Sequence, residues 1–586
     1  MNTFYANEKQ TLILISLLKA HGIKKIVASP GVTNISFVAS VQYDSFFEIY
    51  SCVDERSAAY MACGLASESN EPVVLSCTGA TASRNYMPGL TEAFYRKLPI
   101  LAITSSQDIS RIGMNSPQCI DRRVLPNDIA LYSLNLPQIR TKKEEKDYAV
   151  LINKAILELT HNGGGPVHIN LTASYNRDFS IKELPKVSII RRFCMGDILP
   201  ELPNGNIAVI VGEHKIWSKK QTKAVENFCK NNNAVVLIDH ISKYTGEYAV
   251  HPNILMAQHN YHPSCCDIDL LIHIGEIHGM DFDNVFVKET WRVNPDGMVK
   301  NTFGHLSNVF QMNEATFFEY YSEHSRHCVE NTFAMAWENE VKRLKGKVKD
   351  IPFSNIWVAS RIFPSMPDES VIHFGIQSSL RSWNFAETTK KYTGYCNTGG
   401  FGIDGNLSTL IGASLANPDK LYFGVFGDLS FFYDMNSMGN RHVGNNLRII
   451  LVNNGRGQQF RNPDSAGEQF GEETDKFIAA AGHFGNMSPH LVKHYVEDLG
   501  LRYISASTKE EFEKKIDVFC DPKIGKKSIF FEVFTETEKE SGALRIMKTI
   551  EGDTPKEEGK AIKKIVKKVV GKRGVAVAKA LFGNNE

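Results

Sequence analysis

From Lys24 onward, short wholly apolar runs alternate with longer stretches in which apolar residues recur every three or four positions. The runs within KKIVASPG, EPVVLSCTG and LPILAITSS predict buried strands, and the segment Glu55 to Glu68 between them predicts a helix. This alternation calls for parallel sheets with helices on both faces. A glycine turn leads into one more strand in GGGPVHINLTASY, and a polar linker follows near Lys182 to Lys186. A second alternating unit carries strand patterns in NIAVIVGEH, AVVLIDH, DLLIHIG and ETWRVNPDG, and a third in SVIHFG, KLYFGVFG, LRIILVNNG and KSIFFEVF. The predicted fold class is therefore α/β, three doubly wound parallel-sheet domains over residues 1–180, 187–345 and 352–535, followed by a basic tail over 556–586. The opening MNTFYANEKQTLILISLLKAHGI reads as an amphipathic helix, since no cationic flank or cleavage site marks a signal peptide.

A chain of 586 residues exceeds the size at which one core keeps growing, which agrees with three domains. The eleven cysteines lack paired metal-ligand spacing, and a reduced, cytoplasmic setting is expected. The net charge of +1 excludes a general nucleic-acid-binding character but hides an asymmetry. Lys556 to Glu586 holds nine Lys or Arg against three Glu, a balance of +6 that leaves about −5 for the rest. Within it, Ile562, Ile565, Val566, Val569 and Val570 alternate at helical spacing with Lys563, Lys564, Lys567 and Lys568. Such a basic amphipathic helix suits an anionic membrane surface, here the inner face, or a protein partner; a solvated extension is the plainer alternative. The middle unit has no complete dinucleotide fingerprint, because VGEHKIW lacks the glycine spacing, and it is read as a spacer domain.

Candidate chemistry gathers in the third unit. In GDLSFFYDMNSMGNRHVGNNLRIILVNNG an acid, Asp428, follows one apolar strand, and Asn453 and Asn454 follow the next. Ligands of open parallel sheets bind outside the carboxyl ends of strands. Magnesium takes hard oxygen donors, and Asp428, Asn454 and the backbone carbonyl of Arg456 offer a carboxylate, an amide and a peptide oxygen. Taken alone, Asp428 reads equally well as a helix cap and the asparagines as a turn. Glu55 opens a helix rich in small residues (Ala58, Ala59, Ala62, Gly64, Ala66), and by itself reads as a first-turn acid favoured by the helix dipole.

Together these stretches resemble the thiamine-diphosphate-dependent enzymes of the decarboxylase and acetolactate-synthase superfamily, over nearly the whole chain to about residue 535. Gly427 and Asp428 through Asn453 and Asn454 match its metal and diphosphate motif, with Leu429 replacing the usual second glycine. GDLSFFYDMN, FGIDG and GGPVHIN are similar to the menaquinone-pathway synthase subgroup, which adds a decarboxylated 2-oxoglutarate unit to isochorismate. The resemblance implies a pyrimidine-binding, a central and a diphosphate-binding domain, in that order. It implies thiamine diphosphate and Mg2+ as cofactors, held by Glu55, Thr78, Ser378, Ile403, Gly427, Asp428, Leu429, Ser430 and Asn454, with Asp428, Asn454 and Arg456 on the metal. Glu55 would hydrogen-bond the cofactor's aminopyrimidine, Ile403 would wedge its rings into a bent shape, and Gln118 would contact cofactor and intermediate. It also implies a homodimer or homotetramer.

Family decarboxylases carry a histidine pair in the first domain and a glutamate soon after the asparagines. Neither SSQDISRIGMNSPQCIDRR nor GRGQQFRN has its counterpart. The expected activity is therefore carboligation: decarboxylation of a 2-oxo acid donor and transfer of the acyl-anion unit to an acceptor. A non-oxidative decarboxylase and a catalytically inactive scaffold are the alternatives. The subgroup's arginines are also missing: Val32 and Thr33 follow SPG, Ser106 and Gln107 take the next basic position, Thr398 precedes GIDG, and Arg381 is in doubtful register. Since arginine is the usual fork for carboxylates, the sequence points to an acceptor other than isochorismate. Arg111, Arg122, Arg123, Arg456 and Arg461 could rebuild an anion site elsewhere.

Overall fold

A computed structural model of the chain describes residues 4–324, 330–462, 465–479, 481 and 488–551. The basic tail expected over 556–586 lies outside the described residues. The strands form three parallel sheets of six, seven and six strands. The described residues divide into two compact units, one of those within 1–200 and 289–313, the other of those within 201–288 and 314–551.

The first unit is built on β1 (Lys25–Ala28), β2 (Glu48–Ser51), β3 (Val73–Thr78), β4 (Ile100–Ser106), β5 (Tyr132–Leu136) and β6 (Val167–Thr172), in the order β2-β1-β3-β4-β6-β5. Successive side chains of a strand point to opposite faces, so adjacent residues should enter different cores. They do. Ile26, Val74, Leu101 and Ile103 pack with the helices Lys9–Ala20 and Lys142–Glu158, while Val27, Val73, Leu75 and Ala102 pack with the helices Glu55–Ser69 and Met87–Arg96. The opening helix differs from its sequence reading. Gln10 to Leu18 are all buried, so the helix is covered nearly all round, with Gln10 donating to the Thr172 carbonyl and Ser16 to that of Pro185. The small-residue stripe also divides: Ala58, Ala59, Ala62 and Ala66 are buried, and Gly64 is exposed.

Of the central strands, β7 (Arg191–Cys194), β12 (Phe286–Val293) and β13 (Leu306–Gln311) follow the order β12-β13-β7, with only Phe286–Lys288 of β12 outside the first unit. In the second unit, β8 (Ile207–Val211), β9 (Ala234–Ile238), β10 (Ala249–Val250) and β11 (Asp267–Ile274) run β10-β9-β8-β11. The same unit carries the last sheet, formed by β14 (Ser370–Phe374), β15 (Tyr392–Cys396), β16 (Tyr422–Gly427), β17 (Leu447–Asn453), β18 (Arg502–Ala506) and β19 (Ile529–Phe534), ordered β15-β14-β16-β17-β19-β18. It too is wound on both faces. Phe426, Leu447, Ile449 and Leu451 meet the helices Asn406–Ser414 and Leu491–Asp498, while Phe423 and Phe531 meet Phe512 and Phe519 of the helix Lys509–Phe519.

Candidate functional site

In the last sheet β16 and β17 lie side by side, with Gly427 opposite Val452, so Asp428 and the asparagine pair emerge together at the carboxyl ends. Asp428 starts the helix Asp428–Asp434 and is 2% exposed. Its Oδ1 accepts from the Leu429 N–H at 2.7 Å and its Oδ2 from the Gly455 N–H at 2.8 Å, which ties the turn after β17 to the start of this helix. Burial nevertheless pushes its pKa up to about 7, since desolvation outweighs those donors. The two asparagines take different roles. Asn453 donates to Glu532 Oε1 at 2.8 Å inside the sheet, whereas Asn454 is half-buried and accepts from the Arg456 N–H at 3.3 Å.

A cavity of about 700 Å³ opens at these strand ends, and Ser378, Ile403, Gly427, Asp428, Leu429, Ser430, Asn454 and Arg456 all line it. The structure thus brings together every site residue that the sequence assigned to this unit. Ser430 Oγ donates to the Ile403 carbonyl at 2.8 Å and accepts from Asn406 Nδ2 at 2.9 Å, pinning the loop that presents Ile403. Asp434, at the far end of the same helix, receives the Ser408 N–H at 2.6 Å and holds the helix Asn406–Ser414 in place.

The donor set fits a hard cation. Among the described residues no group of three or more His, Cys, Asp or Glu side chains is placed to hold a metal, so one bound here draws on mixed oxygens. A buried carboxylate held by main-chain N–H groups, beside an amide and a main-chain carbonyl, suits magnesium completed by phosphate and water.

Other residues of the cavity wall were not legible in the sequence. Glu540, 7% exposed, accepts from the Asn355 N–H and, at 2.7 Å, from Thr535 Oγ1, and burial raises its pKa to about 7. Its spacing with Thr537, Ala543 and Met547 on the buried face of one helix was the available signal. Arg456 Nη1 and Arg461 Nη2 share the Asp475 carboxylate at 2.7 and 2.8 Å, so two cations meet one anion.

Glu55, Thr78 and Gln118 belong to the first unit. Glu55 is the first residue of its helix, after the Asp54 cap, and Oε2 accepts from Asn85 Nδ2 at 3.4 Å. Thr78 ends β3 and its hydroxyl meets that of Thr33, whose Oγ1 also donates to the Ser105 carbonyl at 2.6 Å. Gln118 is exposed with φ 57°, and its carbonyl lies against Gly79, so a Cβ at that glycine would come within 2.9 Å. Thr33 and Thr398, which stand where arginines were expected, are 1% and 3% exposed, and Gln107 donates to the Pro117 carbonyl at 3.1 Å.

Two strand-to-helix turns are strained. Ala80 after β3 has φ 58° and ψ −139°, and Gln377 after β14 has φ 65° and ψ −109°. Only glycine adopts such backbone readily.

Comparison with known proteins agrees with this geometry. The thiamine pyrophosphate enzyme N-terminal TPP-binding domain is matched over residues 10–124. A 2-succinyl-5-enolpyruvyl-6-hydroxy-3-cyclohexene-1-carboxylate synthase of Phocaeicola vulgatus is 30% identical over 568 residues, covering 92% of this chain and 98% of that protein. The Bacteroides thetaiotaomicron protein of the same name is 30% identical over 562 residues with the same coverage, and that of Christiangramia forsetii 27% identical over 583 residues, covering 89% and 95%. The chain belongs to the family of these synthases and is a thiamine-diphosphate-dependent enzyme.

Proposed function

We propose that the protein is a magnesium- and thiamine-diphosphate-dependent carboligase that decarboxylates a 2-oxo acid and transfers the acyl-anion unit to an acceptor other than isochorismate. The observation that carries the cofactor assignment is the convergence of eight expected residues on one cavity at the ends of β16 and β17. Asp428, Asn454 and the Arg456 carbonyl would hold the metal, and Gly427, Leu429, Ser430, Ser378 and Ile403 would hold the diphosphate and rings. Glu55, Thr78 and Gln118 complete the proposed constellation in a homodimer or homotetramer. Bound thiamine diphosphate supplies a carbon nucleophile for the 2-oxo carbonyl and an electron sink for the decarboxylation. The chain's part is positional. Asp428 is fixed by two N–H groups and cannot swing away, and Ser430 with Asn406 keeps Ile403 at the cavity wall.

Support for a different acceptor is narrower. Thr33 and Thr398 are buried, and Thr33 is consumed by hydrogen bonds, so neither offers a carboxylate fork; the relatives, all carrying one synthase's name, lend this part no support. Glu540 favours the second reading, a decarboxylase releasing an aldehyde, because it is a carboxyl on the cavity wall that could carry a proton. One assay separates the readings. With a panel of 2-oxo acids, carbon dioxide release should be slow alone and accelerate with a suitable carbonyl or alkene acceptor, isochorismate not among them. Stoichiometric aldehyde from the donor alone would establish the decarboxylase, and rapid turnover of isochorismate with 2-oxoglutarate would restore the relatives' acceptor.

A further inference from the structure

We propose that the hollow at the amino ends of β17, β19 and β18 binds a small phosphorylated compound with a flat apolar body, of the nucleoside diphosphate class. Strand register supplies the first observation. Arg448 lies opposite Ile529, and Ile529 opposite Arg502, so two arginines flank an isoleucine in one row across three parallel strands. Arg448 is 1% exposed and is spent on the backbone: Nε donates to the Phe519 carbonyl at 3.1 Å, Nη1 to that of Leu447 at 3.1 Å and Nη2 to that of Lys523 at 3.0 Å. Asn445 Nδ2 donates to the Gly525 carbonyl at 2.7 Å, and Ser528 Oγ to that of Gly444 at 2.9 Å. The segment 519–528 is thus tied along its length to the start of β17. It carries the exposed Lys523, Lys526 and Lys527 on a fixed backbone.

The second observation is the space these groups enclose. An open hollow of about 630 Å³ is lined by Arg448, Arg502, Lys523, Lys526 and Lys527 and by two carboxylates, Glu497 and Asp521, a surplus of three positive charges. Asp521 is turned into its own loop, where Oδ1 accepts from the Lys523 N–H at 2.9 Å. Other lysines of this unit are paired, Lys509 with Asp350 at 2.7 Å and Lys539 with Glu536 at 2.8 Å. Among the described residues Arg502, Lys523, Lys526 and Lys527 form no ion pair. A concave wall of one charge focuses its field on an entering anion.

The third observation is an apolar wall. Leu501, Tyr503, Val518 and Ile529 complete the lining; Leu501 and Ile529 are each 5% exposed, and the Tyr503 hydroxyl donates to Glu532 Oε2 at 2.8 Å, which fixes its ring. The volume is that of a small-molecule site. The charge surplus matches the roughly three negative charges of a nucleoside diphosphate at neutral pH. A bare phosphate would leave the apolar wall uncovered, and an apolar ligand would leave the cations unmatched. The hollow shares no residue with the catalytic cavity, which opens at the carboxyl ends of the same sheet.

The test uses the full-length protein saturated with thiamine diphosphate and magnesium, so that the catalytic cavity is filled. Binding of ADP, adenosine and inorganic pyrophosphate is measured by equilibrium dialysis for wild type, for Lys526→Glu combined with Lys527→Glu, and for Arg502→Glu. ADP should bind saturably and more tightly than either fragment, and both variants should weaken it about tenfold or more while leaving the affinity for thiamine diphosphate unchanged. All three substituted side chains are exposed, so folding is not at stake. No retained ADP, equal retention in wild type and variants, displacement of ADP by further thiamine diphosphate, or pyrophosphate bound as tightly as ADP would overturn the proposal. So would sedimentation with phosphatidylserine vesicles in place of ADP binding, which would assign the lysines to a membrane surface.

Discussion

At the scale of single residues, the carboxyls at this cavity are governed by desolvation. Glu540 is lifted from the ordinary 4.5 to about 7. The folded chain therefore holds a proton there that the unfolded chain releases between those values. The stabilisation is full below pH 4.5 and is lost as pH rises through 7, a difference on the order of 3 kcal/mol. Glu540→Gln keeps an oxygen for the Asn355 N–H and cannot titrate. Its urea midpoint should decline clearly less than the wild type's from pH 4.5 to 7.5, the remaining decline belonging to Asp428, whose carboxyl is also pushed up to about 7. Parallel declines in both proteins would assign the pH dependence to other groups. Glu540 also shows why part of the site escaped the sequence. Asp428 and Asn454 sit at a recognisable spacing on neighbouring strands, but Glu540 arrives from a helix about a hundred residues later, among surface-like acids. Asp475 arrives in the same way, through a fold-dependent pairing with Arg456 and Arg461.

At the scale of elements, the helix Glu55–Ser69 supports a paired prediction. It packs on the helix Met87–Arg96 so closely that a Cβ at Gly89 would lie 2.4 Å from Ala59 Cβ, while a Cβ at Gly64 meets nothing within 4 Å. Gly89→Ala should cost about 1–3 kcal/mol by overpacking. Gly64→Ala, at an exposed helical position, should instead stabilise by about 0.5–1 kcal/mol. Denaturant midpoints check both, and a neutral Gly89→Ala would mean that the two helices have room to separate. The same distinction between covered and open positions explains which strands the sequence revealed. Of the inner strands, β1, β3, β4, β14, β16, β17 and β19 are mostly apolar runs because helices cover both faces, whereas β6 alternates, its buried His168 and Asn170 being hydrogen-bonded. The strands without a clear pattern include the sheet edges β2, β5, β15 and β18. Three residues of β2 and one of β18 are exposed, so their composition resembles loop. The opening helix misled in the opposite sense, since hydrogen-bonded Gln10 and Ser16 are polar yet buried.

For the molecule as a whole, cofactor binding and folding are linked. Ligand at a hundredfold excess over its dissociation constant stabilises a protein by about 2.7 kcal/mol. Thiamine diphosphate with magnesium should raise the unfolding midpoint, and calorimetry should show that the cofactor's binding needs the divalent ion. Asp428→Ala should abolish both effects while leaving the chain folded, since removing a desolvated carboxyl relieves as much as it disrupts. Equal binding with and without magnesium would remove the basis of the metal assignment. The strained turns at Ala80 and Gln377 set a different limit. Each stores about 1–3 kcal/mol that glycine would release, so a laboratory selection for heat resistance alone should drift toward glycine at both positions. The survivors would refold well and react poorly, because a relaxed turn no longer fixes the direction of the helix that follows it. Durability and turnover would then be competing traits at two single codons.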